Sequence, residues 1–313
     1  MRTQAGIFMS TSNIYAKPPL SLEDQLELLI GRGLNVSSPE RALHYLRFVG
    51  YYRLSGYCRY YQQNLSHEFE SGTTFDSVLK LYIFDRELRL LVMDAVERIE
   101  VAVRSCISNT MSESHGAHWF MDRTLFHNSR KHDELLGKIR AATGNHDRQE
   151  GFLKSYYQKY NQPDIPPSWM MAEVMSFGTW SSLFANLKSR RVQRSICAPF
   201  DIDPRIMKSW LHSLNYLRNL CAHHSRLWNR LFSIKPMVAK KYETQMKDNG
   251  SFYAYAAMLR ILMYVIADGS KWQYRFADLV DSYLDVPFSE MGFPEGWRKD
   301  PFWGLDRPDR YSF

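Results

Sequence analysis

Between Leu81 and Cys106 the apolar residues Leu81, Phe84, Leu88, Leu91, Ala95, Ile99, Ala102 and Cys106 recur at spacings of three or four. That interval matches the turn of an α-helix and lays one apolar stripe along many turns, which must be buried against other elements. Helical periodicity continues through most of the chain. Short alternating runs joined by Asn-Gly or Asp-Gly turns, the mark of hairpins, are absent. The sequence therefore predicts an all-α fold. On the same long helix, Asp94–Arg98 and Glu100–Arg104 place an acid four residues before a base, which supports a helix modestly.

Punctuation marks the other helices. "KPPLSLEDQLELLI" supplies two prolines and then Ser21 as an N-cap with acids in the first turn, and the glycines of "GRG" (31–33) end that helix. Ser38 and Pro39 open a second helix over 37–50, and the aromatic-rich "YYRLSGYCRYYQ" (51–62) forms a short third one. The long helix follows "SGTTF" (71–75). Residues 111–168 are more broken, with loops at "ATGNHDRQEG" and "QPDIPP". Helical signal resumes over 168–188, with Gly178 as an interruption. A helix capped by Asp203 starts at Pro204 and is expected to run to residue 230. Residues 251–284 hold one or two more. The expected organisation is an N-terminal helical subdomain (17–70), a main helical domain (71–285), and a Pro- and aromatic-rich tail (286–313) packing on the core.

With 45% of its 313 residues hydrophobic and 14% aromatic, the chain can bury a sizeable core, and disorder is excluded. A net charge of +7 favours anionic partners but is weak support for nucleic acid. The four cysteines, Cys58, Cys106, Cys197 and Cys221, lie far apart in apolar helical contexts, as buried free thiols in a reducing compartment would. The first residues lack the apolar run of a secretory signal. "FYAYAAMLRILMYVIA" (252–267) carries Arg260 and is shorter than a bilayer-spanning helix, so it reads as a core helix. A cytoplasmic protein with no membrane partner is expected.

The densest polar cluster is "NYLRNLCAHHSRLWNR" (215–230). On the helix from Pro204, Ile206, Trp210, Leu214, Leu217 and Cys221 form the apolar stripe. At about 100° per residue, Asn215, Asn219 and His223 then stack on another face, with Arg226 a turn later. Arg218 lies roughly 140° round from His223 and about 7.5 Å along the axis. Such groups suit a phosphodiester. Imidazole exchanges protons near neutrality, guanidinium pairs with phosphate oxygens, and Asn219 can orient either. By spacing alone the cluster is either a solvated helix face or a site. A metal site at His223–His224 is disfavoured, because adjacent helical residues point about 100° apart.

"LRNLCAHHSRLWNR" (217–230) resembles the signature segment of the Abi-like family of bacterial abortive-infection proteins, the AbiD and AbiF group, and contains the Arg–x4–His pattern of HEPN domains at Arg218 and His223. Other blocks resemble that family in order: "KPPLSLEDQLELLIGRGL", "YLRFVGYYRLSGY", "FDRELRLLVMDAVERIEVAVRS", "PSWMMAEVMSFGTWSSLF" and "MGFPEGWRKDPFW". Together they span about residues 17 to 303. The resemblance implies a HEPN-type helical bundle that cuts RNA without metal or other cofactor, at a composite site where two motifs meet. It assigns Arg218 to transition-state charge, His223 to acid–base work and Asn219 to its support. A chain with one motif then needs a homodimer, and attack by the 2′-hydroxyl leaves a 2′,3′-cyclic phosphate. Some HEPN toxins carry a modifiable Tyr two residues after the His. Ser225 stands there, so regulation falls instead to a noncoding RNA, an antitoxin-like protein partner or an infection signal.

His224, Arg226, Arg230 and Arg104 are further candidates for contact with RNA, or else a solvated helix end and a bracing pair. Glu97, Glu100 and Arg104 either brace Arg218 and His223 or form surface pairs. The Tyr–Arg pattern of "YYRLSGYCRYY" suits base stacking or core packing. "KSRRVQRS" (188–195) suits RNA or a solvated basic turn, and His115, His118, His127 and His132 lack zinc-ligand regularity. Two alternatives to the nuclease remain open. One is a non-catalytic RNA-binding module. The other is a DNA-binding regulator using residues 21–62, which lack a clear recognition-helix pattern.

Overall fold

The structure of the protein, a computed structural model, describes residues 18–144, 150–267 and 270–305. Half of the loop expected at "ATGNHDRQEG" (its residues 145–149) lies outside them, as do Lys17 and the end of the tail, residues 306–313. Among the described residues the secondary structure is α-helical with short 3₁₀ turns. Backbone pairing between extended segments is limited to isolated bridges such as Asn35 with Thr74. The fold is all-α.

Two compact units part between Ile83 and Phe84. In the first, α1 (Leu22–Gly31) begins with a reciprocal cap: Ser21 Oγ accepts from the Asp24 N–H, and the Asp24 carboxylate accepts from the Ser21 N–H. Ser38 caps α2 (Pro39–Phe48) by accepting from the Arg41 N–H. Gly50, at φ 90°, turns the chain directly into α3 (Tyr51–Cys58). These boundaries fall where the punctuation put them. Within "YYRLSGYCRYY", Tyr57 is buried and meets Tyr82 edge-on at 5.6 Å, whereas Tyr52 is exposed. Of the five tyrosines only Tyr57 is buried; Tyr51, Tyr60 and Tyr61 are half-buried.

Helix α4 (Phe75–His115) is 41 residues long. Leu81, Phe84, Leu88, Leu91, Ala95 and Ile99 are buried as expected, but Ala102 and Cys106 are only half-buried. Val103, Ile107 and Met111 take over. A repeat of four advances about 40° per step at 3.6 residues per turn, so the buried line winds round the helix. The second unit continues with α5 (Ser129–Thr143), α6 (Gly151–Lys159), α7 (Ser168–Val174) and α8 (Phe177–Asn186). After these come α9 (Arg190–Cys197), α10 (Pro204–Ala222), α11 (Glu243–Met246), α12 (Phe252–Ile266) and α13 (Trp272–Asp281).

Gly178 does not interrupt the helix. The break falls at Met175, and Ser176 caps α8 by accepting from the Thr179 N–H. Gly178 instead lies inside α8, where a Cβ would come within 3.0 Å of Asn215 Oδ1. Helix α12 is buried on nearly every side. No described helix is long and apolar enough to cross a membrane. All four cysteines are free. Burial pushes the thiols of Cys58, Cys197 and Cys221 up to about 12.

The tail folds onto α12 and α13. Trp297 and Trp303 are buried, and the Trp303 ring lies 5.8 Å from Tyr253 and 6.1 Å from Phe276. Its Nε1–H donates to Tyr253 Oη at 3.3 Å. Trp303→Ala should therefore cost about 3–5 kcal/mol. Denaturant unfolding checks this, and a midpoint unchanged from the parent would contradict it.

Candidate functional site

Helix α10 presents the Arg–x4–His segment. Asp203 Oδ1 accepts from the Arg205 N–H at 2.8 Å and Pro204 fills the first turn, as the sequence predicts. Trp210, Leu211, Leu214, Leu217 and Cys221 are buried; Met207 is buried beside them, and Ile206 only partly. This leaves Asn219 and His223 exposed and Arg218 half-buried.

The helix ends at Ala222, eight residues earlier than its periodicity suggests. His223 is the C-cap and His224 takes a left-handed conformation, φ 55°. The His224 N–H donates to the Cys221 carbonyl at 2.9 Å, and the Ser225 N–H reaches back to the Leu220 carbonyl at 2.8 Å. This is the paired closure that usually has glycine in the left-handed position. Here an imidazole-bearing residue holds it. Arg226 is therefore not one helical turn beyond His223. It donates to the Asn229 carbonyl at 3.4 Å, and Arg230 Nε donates to the Arg226 carbonyl at 2.6 Å.

A buried ion pair on α4 anchors the returning chain. Asp85 Oδ1 accepts from the backbone N–H groups of Leu227 at 3.0 Å and Trp228 at 2.8 Å. Its Oδ2 pairs with Arg89, and the Arg89 guanidinium also reaches the Ser225 carbonyl at 3.5 Å. The relative exposure of the two residues is 0% and 5%. Sequence reasoning passed over both, because in isolation they look like one more surface pair four apart. The signal was available: Leu81, Leu88 and Val92 surround Asp85 at helical spacings, so a charge stands on the buried sector.

Arg218 faces another part of α4. It borders an open groove of about 560 Å³ with Asp94, Glu97, Glu100 and Arg104. Arg104 pairs with Glu100 and donates to the Ala172 carbonyl at 3.2 Å. Burial lowers the Arg104 pKa, Glu173 opposes that effect and the charge of Arg218 adds to it. Thus Arg104 and Arg218 are electrostatic neighbours, and Arg104 directs donors to protein acceptors. Asn219 and His223 share the open side of α10, while His224, Arg226 and Arg230 belong to the turn that follows.

The model of the family described as Abi-like protein matches residues 44–229. The chain belongs to that family. The match takes in α4, α10 and the turn clamped by Asp85, and it stops before α12, α13 and the tail, which the resemblance of separate blocks also reached. Membership in the Abi-like family suggests a part in abortive infection. No curated protein and no solved structure matches the chain.

Elsewhere, His132 is buried with Nε2 at 2.8 Å from the Phe120 carbonyl and its ring 4.6 Å from Phe126, so it is a packed histidine. Among the described residues no three His, Cys, Asp or Glu side chains gather as a metal site.

Asp85→Ala should lose about 3–5 kcal/mol, because it removes the carboxylate that balances the buried Arg89 charge and accepts from two buried backbone N–H groups. Thermal or denaturant unfolding reads this, and a loss under about 1 kcal/mol, the size of a surface pair, would contradict it. The opposite sign is expected at His224. Replacing it by glycine relieves the left-handed strain and should gain about 0.5–1 kcal/mol in the same measurement.

Proposed function

We propose that this Abi-like protein is a metal-independent endoribonuclease of the HEPN type acting in anti-phage defence, with residues 71–285 as its HEPN-like unit. The observation that carries this reading is the way α10 ends. Asn219 and His223 stand exposed on one side of the helix terminus, Arg218 lies round the helix in a groove beside Arg104, and a buried ion pair holds the turn between them and the rest of α4.

The chemistry needs three services. A base removes the 2′-hydroxyl proton as that oxygen attacks the adjacent phosphorus. A cation stabilises the charge that grows on the non-bridging oxygens. An acid protonates the departing 5′-oxygen as its bond to phosphorus breaks, leaving a 2′,3′-cyclic phosphate and a free 5′-hydroxyl. His223 suits either proton transfer, Asn219 its orientation and Arg218 the charge. One chain carries a single Arg–x4–His motif and sets Arg218 on a different side of α10 from His223, so a homodimer supplies the second set.

The Arg218 groove favours a second copy as its partner. Leu90 and Val101 lie along it with exposures of 61% and 57%. Its charges are mixed, Asp94, Glu97 and Glu100 against Arg104 and Arg218, as a self-complementary two-fold contact requires.

His223→Ala should reduce RNA cleavage by about 10² to 10⁴ in the presence of a chelator, while RNA binding persists. End analysis of the parent's products should show cyclic phosphate. If purified parent protein never cleaves RNA yet binds it, the non-catalytic RNA-binding reading replaces this one.

A further inference from the structure

The exposed face of α10 does not begin at Asn219. Counting back from His223, Asn219, His212, Lys208 and Arg205 fall within about 60° of one another at 100° per residue, and all four are exposed. Arg205, Lys208 and His212, in the N-terminal half of the helix, border a cavity of about 740 Å³ formed with α8, α9 and the start of α5. Lys131, Arg190, Arg205 and Lys208 line it, with His127 and His212, and among the described residues no carboxylate does. At its edge Asp203 Oδ1 lies 3.4 Å from Arg205 Nε and also caps α10, and Glu134 borders the adjoining pocket that shares Lys131 and Ser182. The first turns of three helices, α5, α9 and α10, contribute Lys131, Arg190 and Pro204 to its wall. The hydroxyls of Ser181, Ser182 and Ser209 also belong to residues of its wall.

The lining favours phosphates over a nucleobase. A site that grips one small molecule is usually enclosed and lined by aromatic and apolar groups. This one is open, its cations stand at the surface, and among the described residues no Phe, Tyr or Trp lines it. Such a surface tracks a backbone without reading sequence. By helix rise, His212 is about 16 Å and Arg205 about 27 Å from His223 along α10, a span that several nucleotides cover.

We infer that this cavity is a phosphate-binding subsite for single-stranded RNA, holding the strand along the exposed face of α10 on its way to His223. The inference rests on the proposed ribonuclease reading for the fate of the strand, but not for its binding.

The test is binding of an uncleavable 2′-O-methyl oligoribonucleotide of about a dozen residues, compared between the parent and the double variant Arg190→Glu, Lys208→Glu. Both side chains are exposed, and a matched thermal unfolding curve verifies the fold. The double variant should bind at least about tenfold more weakly, and its slope of log affinity against log salt should fall by about 0.7 for each phosphate that is no longer neutralised. Unchanged affinity and slope in a folded double variant would overturn the subsite. So would inorganic phosphate or a mononucleotide displacing the oligonucleotide at concentrations comparable to the strand's own, since the cavity would then hold a small anion only. Cleavage assays separate the two ideas. If neither parent nor variant cuts RNA while the variant loses binding, the subsite stands and the ribonuclease reading falls. If His223-dependent cleavage is present and binding is insensitive to both charges, the reverse holds.

Discussion

Asp85 is the point on which the site depends. A carboxylate with no exposure to solvent is costly unless nearly all its lone pairs are used. Here one oxygen takes two backbone N–H groups from the segment leaving α10, and the other takes Arg89. Because the accepted donors belong to backbone, the interaction specifies the path of the chain at Leu227 and Trp228 whatever side chains stand there. It fixes where α10 can end relative to α4, and so where an imidazole at its terminus is carried.

Most of the helical architecture could be read from residue order. Ser21, Ser38 and Asp203 announce their helices through oxygen acceptors placed before runs of apolar periodicity, and the caps form with those atoms. The end of α10 was hidden for a definite reason. Helices usually announce their C-termini by glycine or proline, and here the left-handed position is filled by His224, while Trp228, seven residues after Cys221, keeps the apolar rhythm. Gly178 misled in the opposite sense. It looked like a breaker, but the space it leaves is used by the side chain of Asn215.

The candidate site was only partly legible. Positions on one helix can be related by angle, so the separation of Arg218 from His223 could be worked out from spacing. Relations between helices could not. The nearness of Arg104 to Arg218 was one of two readings the sequence left open, and nothing in the order of residues brings Asp85 under Trp228 or gathers Lys131, Arg190 and Lys208 around one cavity. Each of these depends on which faces of α4, α5, α8, α9 and α10 meet, and that is settled by packing.

The continuity of α4 carries one more implication. Asp85, which holds the turn, and Arg104, which neighbours Arg218, stand on the same unbroken rod, nineteen residues or about 28 Å apart. An inserted or deleted residue between them would rotate one end against the other by about 100° and detach the anchor from the groove it serves. Exposed side chains on this stretch, such as Leu90, Arg98 and Val101, have more freedom to change. Across this stretch the length of the chain, counted in residues, is under tighter constraint than most of the residues themselves.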